Sequence, residues 1–441
     1  MGQKHLNSVH VSHYKNTAAC ETEIMPIPET VCISMSQHIG APCKPLVKKG
    51  DQVKVGQLIG DTDAFVSAPI HSSVSGTVKS IKTMRNAMGN YDQMVEIETD
   101  GKQEVAEDIK PPVIESFDDF VKAVRASGLV GLGGASFPTH IKFNPKNADE
   151  CHDLIVNAAE CEPFITSDHR LMLENADSIL DGMEAVMKWL DLDKGHIGVE
   201  SNKPDAIAHL NEEIAARGLS DRINVHVLRS TYPQGAERVM IYEILGKTMN
   251  AGELPAQHGV ILSNVNTFAT LGQYLKDGMP LTKKRVTVDG SAVGEPKNII
   301  VPLGASIADV IAACGGYKAE PKKILMGGPM MGRAIYSDEQ PIVKNNNAIL
   351  AFAFEGDAKR FDIPEESACI KCGRCVGACP FKLMPVSIAA AYDKKDAEKL
   401  DALKVMQCMQ CGSCSYICPA RRPLAFINQM AKGVVKEAQS K

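Results

Sequence analysis

No stretch of this chain is apolar enough to cross a bilayer: nothing approaches the ~18 residues a membrane span needs. Its Lys and Arg are scattered and its net charge is −5, so it lacks the basic footprint of a nucleic-acid binder, and no nucleic-acid partner is expected. Met1 to Asn16 carry no apolar core of the secretory kind, which points to a reducing, cytosolic setting in which thiols stay free. Neither the spaced glycine fingerprint of dinucleotide folds nor the phosphate-binding P-loop is present. At 441 residues the chain should hold about three domains of ~150 residues.

Cysteine is plentiful by contrast. Of 14 cysteines, eight form two cassettes with one spacing: Cys369-x2-Cys372-x2-Cys375-x3-Cys379-Pro380 and Cys408-x2-Cys411-x2-Cys414-x3-Cys418-Pro419. Three thiolates on a tight loop can wrap three irons of a [4Fe–4S] cluster, while the fourth swings across to the other cluster. One cluster is therefore expected on Cys369, Cys372, Cys375 and Cys418, and a second on Cys408, Cys411, Cys414 and Cys379. Structural zinc usually separates its Cys-x2-Cys pairs by a longer loop, and disulfides fit poorly with such dense spacing. Two adjacent clusters commonly pass single electrons.

The rest of the chain changes style three times. In residues 45–80 valines alternate with polar residues between glycine turns, like the hammerhead of lipoyl carriers. No lysine occurs between Lys54 and Lys79 to bear a cofactor, so a structural barrel-sandwich unit is expected within an N-terminal region of 1–105. From 106 to 280 strands alternate with helices, which predicts a mainly parallel sheet covered on both faces. Expected helices are 118–127, one near 171–190, and 204–217; expected strands are 153–157, 196–200 and 223–228. Residues 281–355 read as a small β-grasp unit with a hairpin at Asp289-Gly290, and 356–441 as an α-helical ferredoxin module with a helix across 385–407. The fold class is thus multidomain α/β.

The glycine run Gly131-Leu-Gly133-Gly134, followed by Phe137 and Lys142, could bring backbone amides to a phosphate, but such a run serves tight packing equally well. Asn157, Glu160 and Glu162 follow a predicted strand, Gly235 and Glu237 follow another, and Asn264 and Thr267 lie in Ser263-Asn-Val-Asn-Thr267. Each alone reads as a loop or cap. Together, at strand ends, they favour a flavin or nucleotide pocket. His5, His10, His13 and Cys20 read as a flexible arm rather than a metal site. Cys32, Cys43, Cys151 and Cys314 read as small buried hydrophobes, and the turn Gly327 to Gly332 as core filler.

The segments GLGGASFPTHIKF, VNAAECEPF, YPQGAE and SNVNT resemble the flavoprotein subunit of respiratory complex I, over about 106–332. With a barrel-sandwich hybrid domain before and two cassettes after, the whole chain resembles the C-subunit family of the Rnf complex, the ion-translocating ferredoxin:NAD⁺ oxidoreductases. The resemblance implies an SLBB-type β-grasp unit and noncovalent FMN held by Gly131, Gly133, Gly134 and Lys142. Asn157, Glu160 and Glu162 would approach the flavin and nicotinamide, with Glu160 and Glu162 catalytic. Phe137 would pack on NADH, Gly235 and Glu237 would border the cofactors, and Asn264 and Thr267 would lie near FMN. It further implies NADH as electron donor, and an iron–sulfur B subunit and, indirectly, ferredoxin as partners. The implied place is peripheral, on the cytoplasmic side of the membrane. This chain has Ala159, Ala236 and Leu254 where complex I flavoproteins carry two acidic residues and an aromatic one. A flavin/iron–sulfur cobalamin reductase and an electron-wiring scaffold without NADH activity are the alternative readings.

Overall fold

The computed structural model describes residues 5–134, 136–354 and 365–440; the boundary expected at 355/356 lies outside them. Two small antiparallel sheets come first. One runs Thr30–Ser34, Tyr91–Thr99, Gly76–Arg85, Gln52–Val53 in space, the other Lys44–Pro45, Leu58–Asp61, Ile70–His71. Alternation turns Val31, Ile33, Val53, Ile59, Ile70, Val78, Val95 and Ile97 into one core.

This unit is pinned to the rest by Lys344, whose buried Nζ donates to Pro69 O (2.7 Å) and Gly128 O (2.6 Å). Beside it His71 is 7% exposed with Nδ1 unpartnered. Burial, then the Lys344 charge, pushes its pKa down to about 3. The unfolded chain binds that proton below about pH 6.5 and the folded chain does not. This contribution to stability is therefore intact above that pH and is lost as pH falls, by about 1.4 kcal/mol per unit. We expect the denaturant midpoint to drop from pH 7 to pH 5, and His71→Phe to flatten that drop. An equal drop in both proteins would contradict this origin.

The central sheet is parallel, in the order Ile223–Leu228, Lys194–Glu200, Asp153–Ala158, Val260–Asn264. Covered on both faces, it has apolar strands: Leu154, Ile155 and Val156 are all fully buried. The chain fills the sheet outward in one direction from Asp153–Ala158, then returns to add Val260–Asn264 on the other side. The gap between those two strands is a topological switch point, where open α/β sheets bind ligands at the carboxyl ends.

Ser116 starts the helix Phe117–Ala126, its side chain accepting from Asp119 N. The single helix expected near 171–190 is two, Ser167–Glu174 and Ala176–Trp189. Asn175 leaves helical dihedrals between them (φ −140°), and its Oδ1 accepts from Arg285 (2.7 Å). The helix Ala176–Trp189 crosses Val265–Asp277 through Gly182 and Gly272, so closely that a methyl on Gly182 would lie 2.1 Å from Phe268 O.

A six-stranded sheet follows, ordered Glu23–Ile24, Lys297–Pro302, Lys283–Asp289, Ala348–Phe352, Lys323–Met326, Arg333–Ile335. Its edge strand comes from the N-terminal arm, Glu23 pairing with Ile299 in parallel. The arm expected to be flexible instead packs on its own chain. The C-terminal module is helical, around Leu383, Ile388, Leu400, Val405, Ala431 and Val435. The helix expected across 385–407 is Pro385–Asp393 and Ala397–Ala402 plus one 3-10 turn, interrupted where Lys395 turns left-handed (φ 53°). Among the described residues no helix is long and apolar enough to cross a membrane.

Candidate functional site

The glycine run lies over the switch point. A Cβ on Gly133 would stand 3.0 Å from Asn264 Cβ, so a glycine lets this loop approach the strand end. Gly134 is left-handed (φ 122°). Leu132 N donates to Thr267 Oγ1 (3.2 Å), and Gly131 N to Phe137 O (2.8 Å). Asn264 caps the helix Val265–Asp277; its Nδ2 donates to Asn157 O (3.3 Å) and Asp168 Oδ2 (2.8 Å). Asn157 Nδ2 donates in turn to Gly235 O (2.7 Å). Lys142 pairs with Glu237 (3.1 Å). The residues singled out at four separate strand ends and loops are thus brought together. Gln234 Nε2, on the loop after Ile223–Leu228, and Asn266 Nδ2, in the first turn of Val265–Asp277, are buried without a hydrogen-bond partner, so the site suits a polar ligand.

Glu160 and Glu162 occupy different settings. The Glu160 carboxylate accepts from Asp168 N (2.6 Å) and His169 N (3.2 Å) at the start of Ser167–Glu174, with its own backbone left-handed (φ 52°). Burial raises its pKa, and Lys15 opposes the rise. Glu162 accepts from Met330 N and Met331 N, both 2.9 Å, and burial pushes it up to about 7 against the pull of those amides. The turn Gly327 to Gly332 is therefore a cradle for Glu162 rather than core filler. Gly328 is a necessity there, since a Cβ would lie 2.3 Å from Glu162 Oε2.

Two lysines beneath this loop, half-buried Lys15 and buried Lys203, hold its carbonyls. Lys15 Nζ donates to the carbonyls of Glu160 (2.8 Å), Glu162 (2.9 Å) and Ile165 (2.6 Å). Lys203 is 1% exposed and reaches Ala159 O (2.7 Å) and Glu200 (3.3 Å). Lys203 follows a predicted strand end, a position that could have drawn notice; Lys15 lies 145 residues from its first acceptor.

The cassettes repeat each other in backbone as in sequence. Lys371 and Gln410 (φ 56° and 60°) and Gly373 and Gly412 (φ 73° and 84°) are left-handed, and Lys371 N and Gln410 N donate to Cys369 Sγ and Cys408 Sγ, both 3.4 Å. Such loops direct amides at sulfur. Cys379, Cys408, Cys411 and Cys414 line one small cleft together with Phe381, Leu383 and Asn428. Among the described residues no three His, Cys, Asp or Glu converge on a single metal ion. Burial, followed by the charges of Cys411, Cys408 and Cys379, pushes the Cys414 thiol up to about 12, a penalty a cationic iron core would offset. Cys375 and Cys418, from opposite cassettes, pack in one apolar group. Cys372 is exposed, as is Ile370 beside it at 67%.

The nest of Cys379 and Cys408 abuts the pocket. Tyr232 Oη donates to Cys411 O (2.6 Å). Arg238 lies 3.8 Å over the Phe381 ring and donates to Gln407 O (2.7 Å). Cys161 and Met330 pack with Cys411 and Ala378 around Tyr232.

The chain matches family models along its length: the RnfC barrel sandwich hybrid domain over 4–102, the Nuo51 FMN-binding domain over 124–273, the SLBB domain over 285–334, and the 4Fe-4S dicluster domain over 362–419. It is 43% identical over 367 residues to the C subunit of the Na⁺-translocating ferredoxin:NAD⁺ oxidoreductase complex of Acetobacterium woodii, covering 82% of this chain and 81% of that one. The chain belongs to the RnfC family, the C subunits of ion-translocating ferredoxin:NAD⁺ oxidoreductases. Other RnfC proteins similar to it are the C subunit of the proton-translocating complex of Clostridium ljungdahlii (42% identity, 84% and 80% covered) and that of the ion-translocating oxidoreductase complex of Rhodobacter capsulatus (36%, 98% and 83%). Among solved structures, the NAD⁺-reducing [NiFe]-hydrogenase in its H₂-reduced state shares the fold (TM-score 0.51, 19% identity, 74% of this chain and 61% of that one). Membership of the RnfC family brings an FMN site, two [4Fe–4S] clusters and the expected domain types.

Proposed function

We propose that the chain is the electron-input subunit of an Rnf-type complex, taking electrons from NADH and passing them to the next iron–sulfur subunit. When bound, FMN supplies the exchange between a hydride pair and single electrons, and the clusters supply single-electron carriage. The glycine amides of Gly133 and Gly134 with Lys142 would hold the phosphate, while Gly131, its own amide given to Phe137 O, shapes the loop; Asn157, Gly235, Asn264 and Thr267 would shape the ring's berth at the switch point. Phe137 borders the nicotinamide side, and Glu237 steadies Lys142. Glu160 and Glu162 act by fixing the loop that faces the ring, through their grip on backbone amides. Cys369, Cys372, Cys375 and Cys418 ligate one cluster, and Cys408, Cys411, Cys414 and Cys379 the other.

The observation that carries this reading is the Tyr232 bridge from a pocket loop to Cys411. It makes the nest of Cys379, Cys408, Cys411 and Cys414 the near one. The other nest, with Cys372 exposed, is the exit toward the B subunit and, through it, ferredoxin. The protein sits peripherally on the cytoplasmic side, and Na⁺ or H⁺ translocation belongs to membrane partners. A leading barrel-sandwich domain weighs against the cobalamin reductase reading.

Anaerobic purification followed by NADH addition tests this. The expected result is one FMN and about eight irons per chain, with flavin bleaching followed by reduction of both clusters. Full iron without any flavin bleaching by NADH would favour a wiring scaffold.

A further inference from the structure

The N-terminal arm touches both sides of the first step of the proposed electron route, the pocket and the near nest. His5 Nδ1 bonds Glu243 (2.6 Å), and Arg229 donates to Leu6 O (3.2 Å) on the nucleotide domain. Asn7 Nδ2 then donates to Cys379 O (3.1 Å) in the near nest. Val9 and Tyr232 exchange two backbone bonds of 2.8 Å, an isolated antiparallel bridge. Phe164 N donates to His13 O (2.9 Å), Lys15 clamps three carbonyls of the Glu160 loop, and Thr17 meets Thr166 (2.5 Å).

Tyr232 and Asn7 therefore grip the main-chain carbonyls of two cysteines in one nest, Cys411 and Cys379, from opposite cassettes. The Val9 bridge joins the two grips, and further along the same segment Lys15 grips the loop at the flavin berth. Val9 and Val11 are 5% exposed, so this is packed interior rather than a surface tail. Chain length between these holds is short and fixed, which makes the arm a ruler between the pocket and the near nest.

We propose that residues 5–17 form a positioning strap that sets the spacing between the flavin berth and the nest of Cys379, Cys408, Cys411 and Cys414. Asn7 is its contact on the nest, Val9 its contact on Tyr232, and Lys15 its contact on the pocket loop. The strap acts through these residues and touches no reacting atom. The proposal rests on the electron-input reading above.

The test is Asn7→Leu, which keeps size and loses the donor, with Val9→Pro, which removes the amide that donates to Tyr232 O, as an independent second variant. Each is compared with the parent in the full holo-chain by stopped-flow absorbance and by hydrogen exchange. The expected result is full iron and flavin content, flavin bleaching by NADH at the parent rate, and cluster reduction slowed by about tenfold or more. Amide exchange at Tyr232 should rise in both variants. Cluster reduction at the parent rate, or iron loss with unaltered transfer in the fraction that keeps its clusters, would overturn the strap. Photoreducing the flavin in place of NADH separates the two readings: parent protein whose clusters respond to light but not to NADH refutes the electron donor, and the strap is then judged on the light-driven rates.

Discussion

Cys379→Ala is expected to remove the cluster nested by Cys408, Cys411 and Cys414, not the one in its own cassette. Cys379 lines the space defined by those three sulfurs, and its carbonyl is held by Asn7. Iron content should fall from about eight to about four per chain. NADH should still bleach the flavin, because the pocket at the switch point keeps every contact. Electrons should then stall, with the surviving cluster reduced at least ~100-fold more slowly, as expected when a transfer step loses its positioned partner. EPR of the reduced protein decides it: a spectrum that loses the cluster of Cys369, Cys372 and Cys375 instead would show that each cassette fills its own cube.

Gly182→Ala should carry the largest cost to stability. In an exposed helix the change would help by about 1 kcal/mol, since alanine is the better helix former. Here the new methyl would sit 2.1 Å from Phe268 O, and its counterpart on Gly272 2.1 Å from Ser178 O. Both obstacles are backbone, so the helices must part. Overpacking of this kind costs about 3 kcal/mol, which outweighs the propensity gain. Val265–Asp277 is capped by Asn264, so the displacement reaches the flavin berth and should weaken flavin retention on dialysis. Urea midpoints and bound-flavin absorbance measure the two effects. A midpoint at or above the parent's would show that the crossing yields easily.

Chemistry written in short spacings was legible in the chain before its fold. The two cassettes pointed to a pair of [4Fe–4S] clusters, because iron–sulfur ligation is a local loop geometry. The strand at 153 was legible because a buried parallel strand is a continuous apolar run; those at 196 and 223 were legible from their places between helices, Ile223–Leu228 being an edge strand with Val227 61% exposed. The break at Asn175 was not: Arg285, from another domain, supplies the partner that draws Asn175 out of the helix. Glu160 and Glu162 were visible as carboxylates at a strand end, but their amide partners at Asp168, His169, Met330 and Met331 depend on tertiary placement. Lys15 gave no warning at all, since its three acceptors come from one loop far along the chain.

Lys15, Lys203 and Lys344 share a habit: each hides its ammonium and spends it on main-chain oxygens, and for Lys15 and Lys344 those oxygens belong to a different module. Cut at its domain seams, the polypeptide would strand desolvated carbonyls on one fragment and lone cations on another. Four domain types, each matched by its own family model, are in this molecule bound to one another across their seams.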